Sequence, residues 1–245
     1  MKDNVVKIML LLSTIIIISV LIIKRFVYFK PTTELLPTTE NYKVIKNRHL
    51  HGWLSEGKND KIILFCHGNT GNISHREHKT KALNSLGYSV LIFDYSGYGK
   101  SSGIPSETQC YKDASLMLSF LLETYRPHQI ILYGESIGGP IATYAARRYN
   151  IPKLILESTI SNIKTLITQK YNLEMIAFLF SEFNTETYLN GYTGKTLLLH
   201  SKDDEIIPFY SILHLQPYVS YFVPMSGIHN NPYIPWDKIK EFIEV

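Results

Sequence analysis

The chain is predicted to fold as an α/β domain with a mostly parallel central sheet flanked by helices. Three observations predict it. Short apolar runs at residues 61–66, 88–93, 130–133, 153–156, 196–200 and 221–224 read as strands, most of them buried on both faces. Helix-compatible segments separate several of them, the alternation that a parallel sheet requires. Glycine-punctuated loops follow the runs at His67-Gly68-Asn69, Asp94-Tyr95-Ser96-Gly97 and Gly134-Glu135-Ser136. A length of 245 residues, 45% hydrophobic, allows one domain with a full core.

Residues 8–23 form an apolar run broken only by Ser13, Thr14 and Ser19. With Lys7 and Lys24 snorkelling outward it can span a bilayer core of about 30 Å. Phe26, Tyr28 and Phe29 lie where interfacial aromatics belong. A cleaved signal peptide would need small residues at a cleavage site, and no alanine occurs before Ala82. The expectation is a single-pass membrane anchor near the N-terminus, within residues 1–30. Its sidedness is not set, because Lys2 and Lys7 oppose Lys24, Arg25 and Lys30. Those 30 residues hold five basic side chains and one acidic, the whole of the formal charge of +4. The rest of the chain is balanced and carries no basic stripe, zinc pattern or phosphate loop. Nucleic-acid and nucleotide partners are therefore not expected. Cys66 and Cys110 make no disulfide framework.

Residues 31–40 are polar and proline-bounded and read as a linker, so the domain proper is expected at 41–245. Loose alternation from Tyr42 to Leu54 predicts two antiparallel strands joined near Asn47. The run at 61–66 ends in His67-Gly68-Asn69-Thr70-Gly71-Asn72, a loop suited to supply a backbone donor to an oxyanion; the N–H of Asn69 is assigned that role, with Gly68 and His67 as loop support. Asn72-Ile73-Ser74 fits a glycosylation pattern but sits beside this loop. Residues 75–86 predict a helix ended by Gly87, and residues 107–125 another. Asp94, at a strand end before a tight turn, is read as a structural hydrogen-bonding residue.

Residues 129–149 organise the rest. An apolar strand, Gly134-Glu135-Ser136-Ile137-Gly138-Gly139 and a helix-compatible segment form the strand–Gly-x-Ser-x-Gly–helix arrangement of a nucleophile elbow. The sharp turn strains the serine backbone, and side chains two residues either side would collide, hence Gly134 and Gly138. The helix presents its first amides to the serine, so the N–H of Ile137 is placed to stabilise an oxyanion.

Residues 153–158 predict the next strand. About thirty residues then intervene, with an apolar patch at 175–180, read as a core helix, as a small lid over 161–193 with an acyl-chain pocket, or as both. The strand at 196–200 exits into Asp203-Asp204-Glu205-Ile206-Ile207-Pro208, where Asp204 is chosen as the acid and Asp203 and Glu205 remain open. After the last strand comes Gly227-Ile228-His229-Asn230, and His229 is the histidine placed to swing over the serine. His200 and His214 are read as structural. Residues 236–245 predict a closing amphipathic helix.

The order Ser136, Asp204, His229 is nucleophile, acid, histidine. On these residues, and on His67-Gly68-Asn69, Gly71-Asn72 and Asp94-Tyr95-Ser96-Gly97-Tyr98-Gly99, residues 40–245 resemble the α/β-hydrolase superfamily. The similarity is to the small-capped, membrane-associated serine hydrolases of the bud-emergence and α/β-hydrolase-domain group. The resemblance implies a Ser-Asp-His triad acting through an acyl-enzyme on carboxylic ester or thioester bonds. It implies no metal and no organic cofactor. The predicted anchor adds the bilayer as a partner and makes a lipid or a lipidated protein the expected substrate. A catalytically silent fold, used as a membrane-tethered binding or scaffold module, is the alternative. Completeness of the site separates the two.

Overall fold

The structure is a computed structural model; it describes residues 6, 7, 9–11, 13–15, 17–19, 28–171 and 183–245. The described residues among 6–19 are helical. Much of the predicted membrane span, and all of the apolar patch at 175–180, lies outside the described residues. Among those described, no helix is long and apolar enough to cross a membrane.

The chain first pairs at β1 (Lys30–Pro31), continues through β2 (Lys43–Asn47), β3 (Leu50–Ser55) and β4 (Ile62–Cys66), and makes the short β5 (Thr70–Gly71). A 3₁₀ turn (Ile73–Arg76) leads into α1 (Glu77–Ser85), then β6 (Ser89–Phe93), α2 (Glu107–Leu122), β7 (Ile130–Glu135) and α3 (Gly138–Tyr149). The second half holds β8 (Lys153–Glu157), α4 (Ile163–Tyr171), α5 (Thr185–Leu189), β9 (Lys195–Ser201), a 3₁₀ helix (Phe209–Tyr218), β10 (Tyr221–Met225) and α6 (Trp236–Glu244).

The main sheet runs β10-β9-β8-β7-β4-β6-β3-β2. The strands from β10 to β6 are parallel, and β3 lies antiparallel to both β6 and β2. Strand alternation splits the core in two. Ile62, Leu64 and Cys66 face a layer with Met117, Leu118 and Ala142, while Ile63 and Phe65 face one with Leu83, Ile239 and Phe242. Both faces are covered, which is why these strands are apolar without a break.

From β4 the chain moves outward to β6, then returns to place β7 on the other side of β4. That reversal opens a crevice beyond the carboxyl ends of β4 and β7, the place where open α/β sheets bind ligands. Cys66 and Gly134 are register partners there. The loop after β4 and the turn after β7 are thus neighbours by topology.

Residues 28–40 do not hang free between two parts of the molecule. Tyr28 and Phe29 are buried, with rings edge-on to Phe183 at 5.8 and 5.9 Å. Aromatics that flank an apolar run look alike in sequence whether they meet headgroups or a protein core; these two meet the core. β1 pairs in parallel with β5, and the Leu36 N–H donates to Ser74 Oγ at 2.9 Å. The segment read as a linker is therefore laid along the domain surface by hydrogen bonds.

Candidate active site

Ser136 occupies the turn between β7 and α3 with φ of +54°. A non-glycine residue in the left-handed region persists only where its surroundings over-determine it. Here the Ser136 N–H donates to Glu157 O at 2.9 Å and Gly139 N donates to Ser136 O at 3.0 Å. A Cβ at Gly134 would lie 2.6 Å from Gly138 O, and one at Gly138 would lie 2.0 Å from Cys66 O. The first glycine admits the elbow's own backbone, and the second lets α3 approach β4.

His229 and Asp204 reach Ser136 from the loops after β10 and β9. His229 Nε2 is 3.1 Å from Ser136 Oγ, and His229 Nδ1 is 2.7 Å from Asp204 Oδ2. A carboxylate only accepts, so Nδ1 carries the proton and Nε2 presents its lone pair to the hydroxyl. Asp204 Oδ1 accepts the N–H groups of Ile206 and Ile207 at 3.0 and 2.7 Å. Burial alone would raise the Asp204 carboxyl. The hydrogen bond and charge of His229, with the Ile207 N–H, outweigh it and hold the group below its ordinary range. The rival acids touch backbone instead of imidazole: Asp203 accepts Gly227 N at 3.2 Å and Glu205 accepts His229 N at 2.9 Å. His200, fully buried, donates Nε2–H to Ile207 O at 2.8 Å and so braces the turn that carries Asp204.

Ile137 follows the serine as the cap of α3, and Asn69 stands across the crevice on the loop after β4. That loop is held at many points. Tyr95 OH donates to His67 O at 2.9 Å and Tyr98 OH to Asn69 O at 2.8 Å. Gly68 N donates to Glu135 Oε2 at 3.0 Å. His67 Nδ1 bonds Gly68 O at 2.7 Å, and burial, with the charge of Arg76, lowers its imidazole to about 4. His67 is thus neutral and faces Gly68, not Ser136. Asp94 accepts Ile73 N at 3.0 Å and stabilises the turn beneath. Asn72 is fully buried, and its amide donates to the carbonyls of Thr32 and Glu34.

Several supporting residues were not singled out from the sequence. Glu135, inside the elbow motif, accepts Arg76 Nε at 2.9 Å and Lys79 Nζ at 2.7 Å. Lys79 also bonds the fully buried Glu157 at 2.7 Å, and Tyr133 OH caps Glu157 at 2.5 Å. Burial by itself would lower the Lys79 ammonium, but the two carboxylates outweigh it and raise it; burial likewise opposes Arg76 and Lys79 at Glu135, which ends well below the usual carboxylate range. The available signal was Glu157: an acid closing an otherwise apolar strand needs a cation from elsewhere in the chain.

A cavity of about 400 Å³ opens over Ser136, Asn69 and His229. Ile160, Ile163, Leu166, Ile167, Ile206 and Ile207 form its apolar side, and Tyr28, Lys30 and Arg76 stand at its polar side.

A family model described as alpha/beta hydrolase fold matches residues 61–193. The chain belongs to the α/β-hydrolase fold family. An uncharacterized protein of Acanthamoeba polyphaga mimivirus is 31% identical over 205 residues, 72% of this chain and 69% of that protein. The lysophosphatidylserine lipase ABHD12 of Danio rerio is 30% identical over 196 residues, 71% of this chain and 51% of the lipase. The chain thus spans about half the length of that relative. The Pyrococcus furiosus esterase shares the fold at a TM-score of 0.70 and 19% identity, covering 88% of this chain and 98% of its own.

Proposed function

We propose that the chain is a membrane-anchored serine hydrolase that cleaves carboxylic ester or thioester bonds of lipid or lipidated substrates. One observation carries the reading. Ser136 Oγ, His229 Nε2, His229 Nδ1 and Asp204 Oδ2 form one unbroken contact chain of 3.1 and 2.7 Å at a strained serine. His229 takes the Ser136 proton as Oγ attacks the acyl carbon. Asp204 holds the imidazole in the Nδ1–H form and stabilises its charged state. The N–H groups of Ile137 and Asn69 receive the oxyanion, and losing one such donor costs about 3–4 kcal/mol in comparable sites. His229 then protonates the departing alcohol or thiol, and water, activated by the same imidazole, releases the acid.

The lipid part of the reading is supported by the six-residue apolar side of the cavity and by the name of the lysophosphatidylserine lipase relative. The anchor is supported by the apolar run at residues 8–23, upstream of the buried Tyr28. Within 41–245, residues 161–193 are proposed as a small lid, since α4 supplies Ile163, Leu166 and Ile167 to the cavity.

The test is fluorophosphonate labelling and p-nitrophenyl ester turnover of detergent-solubilised protein. Ser136→Ala is expected to abolish labelling and lower kcat on the order of a million-fold, with His229→Ala close behind. Asp204→Asn is expected to cost roughly ten-thousand-fold. Folded wild-type protein that neither labels nor turns over would favour the silent, membrane-tethered module instead.

A further inference from the structure

The loop that carries Asn69 has two flanks. Its inner flank meets the Arg76 and Glu135 side chains. Its outer flank meets residues 30–32, the first stretch of chain after the N-terminal apolar segment. The Lys30 N–H donates to the Asn69 side-chain Oδ1 at 3.0 Å. Lys30 and Pro31 pair with Thr70 and Gly71, and Thr32 N donates to Gly71 O at 3.2 Å. Thr32 O accepts Gly99 N at 2.9 Å, while the Asn72 amide holds the carbonyls of Thr32 and Glu34 at 3.1 and 2.7 Å. Further along, Thr39 N donates to Glu77 Oε1 at 2.8 Å.

We infer that residues 28–40 are a positioning strap for the oxyanion loop. The strap pairs with the two-residue edge Thr70–Gly71; a pair this short has little stability by itself, and the bonds from Gly99 and Asn72 to the carbonyls of Thr32 and Glu34 hold the strap in place against it. It fixes the Asn69 side chain from outside while Tyr98 fixes the Asn69 carbonyl from inside. The bonded Asn69 carbonyl sets the peptide plane after the residue, and the His67 Nδ1 bond to Gly68 O at 2.7 Å sets the plane before it; with the side chain held by the strap as well, the direction of the amide proposed to meet the oxyanion is fixed. An oxyanion donor acts only when it is aimed at the developing charge in advance. The segment that joins the proposed anchor to the domain is then part of the site's construction as well as its tether. The inference rests on the serine-hydrolase reading above.

The strap can be loosened without touching a catalytic side chain. Thr32→Pro removes the N–H that bonds Gly71 O; Thr32→Ser retains it and the hydroxyl. Asn69→Ala removes the acceptor of the Lys30 N–H and leaves the Asn69 amide in place. The full-length variants in detergent would be assayed on a p-nitrophenyl acyl ester, and hydrogen exchange of the 67–72 backbone measured beside them. Thr32→Pro and Asn69→Ala are expected to lower kcat ten- to hundred-fold, with KM within about threefold, because a misdirected donor is lost to the transition state alone. The 67–72 amides are expected to exchange faster in both, and Thr32→Ser to match wild type. If Thr32→Pro fails to fold, Asn69→Ala decides. Unchanged kcat and unchanged exchange in folded variants would overturn the strap's role, as would a raised KM at unchanged kcat, which would make it a cavity wall only. A wild type inactive towards every ester would sink the hydrolase reading instead, and the exchange measurement would still judge the strap.

Discussion

On one side of Ser136 the loop after β4 is fastened by buried ions; on the other, Asp204 and His229 are fastened by backbone N–H groups bonding carboxylates. Lys79 is 2% exposed and bridges Glu135 and Glu157 at 2.7 Å each, with Arg76 completing the cluster. Across the crevice, Asp203, Asp204 and Glu205 each accept a backbone N–H, and only Asp204 is buried. The two sides differ in what a lost bond would cost. A carboxylate near water finds water when its partner leaves, whereas a buried one has no such substitute. The elbow side is therefore stiff and unforgiving, and the histidine side is tolerant, with its precision concentrated in Asp204.

Lys79→Met puts the largest strain on this contrast. It leaves two carboxylates facing each other under the elbow, and the expected loss is about 3–5 kcal/mol of unfolding free energy. Urea unfolding would measure it. Arg76 still pairs Glu135, so the double variant Lys79→Met, Glu157→Gln removes the carboxylate that lost its cation and is expected to recover part of the loss. A single variant as stable as wild type would mean that the cluster is not closed to water, and the contrast between the two sides would disappear.

His67 sharpens the same contrast through pH. Its ring lies against Tyr95 and Tyr98, Nδ1 bonds Gly68 O, and Arg76, Asp94 and Glu135 are the charged groups around it. Burial lowers the imidazole from 6.5 to about 4. Above pH 6.5 the folded and unfolded chains are both neutral at this residue. As pH falls from 6.5 towards 4 the unfolded chain binds a proton that the folded chain refuses, so stability falls across that window by roughly 3 kcal/mol. His200, also lowered chiefly by burial, adds a loss of the same sign. Urea midpoints at pH 7 and pH 4.5 should differ less in His67→Asn than in wild type. Equal slopes in the two proteins would mean that His67 already titrates normally in the fold.

The sheet was legible in the sequence because each parallel strand is buried on both faces and so is apolar throughout. The elbow was legible because Gly134 and Gly138 have steric reasons within six residues of one another. The order Ser136, Asp204, His229 could be proposed because each follows its own strand, and the structure brings all three within hydrogen-bonding distance of one another in sequence of contact. The ion cluster was harder: Lys79 and Glu157 are 78 residues apart, and neither carries a motif that names its partner. The strap was hidden for another reason. Its bonds are made almost wholly by main-chain N–H and C=O groups, which every residue possesses, so a polar, proline-bounded stretch looks the same whether it dangles or docks.

The smallest effect belongs to Glu205, the acid beside the chosen one. Glu205 Oε2 accepts the His229 N–H at 2.9 Å, and that bond is the chief cause of its lowered carboxyl. The side chain is open to solvent, so the bond competes with water on nearly equal terms. Glu205→Ala should therefore lower kcat by less than about threefold and leave KM unchanged, since water can take over the His229 N–H and the imidazole still bears on Asp204 at 2.7 Å. Ester kinetics of the variant beside wild type at one fixed pH would measure this. A loss of a hundred-fold or more would contradict the tolerance assigned to the histidine side. It would place the aim of His229 in the backbone of its loop, and make Glu205 a positioning residue of the same rank as the buried ions opposite.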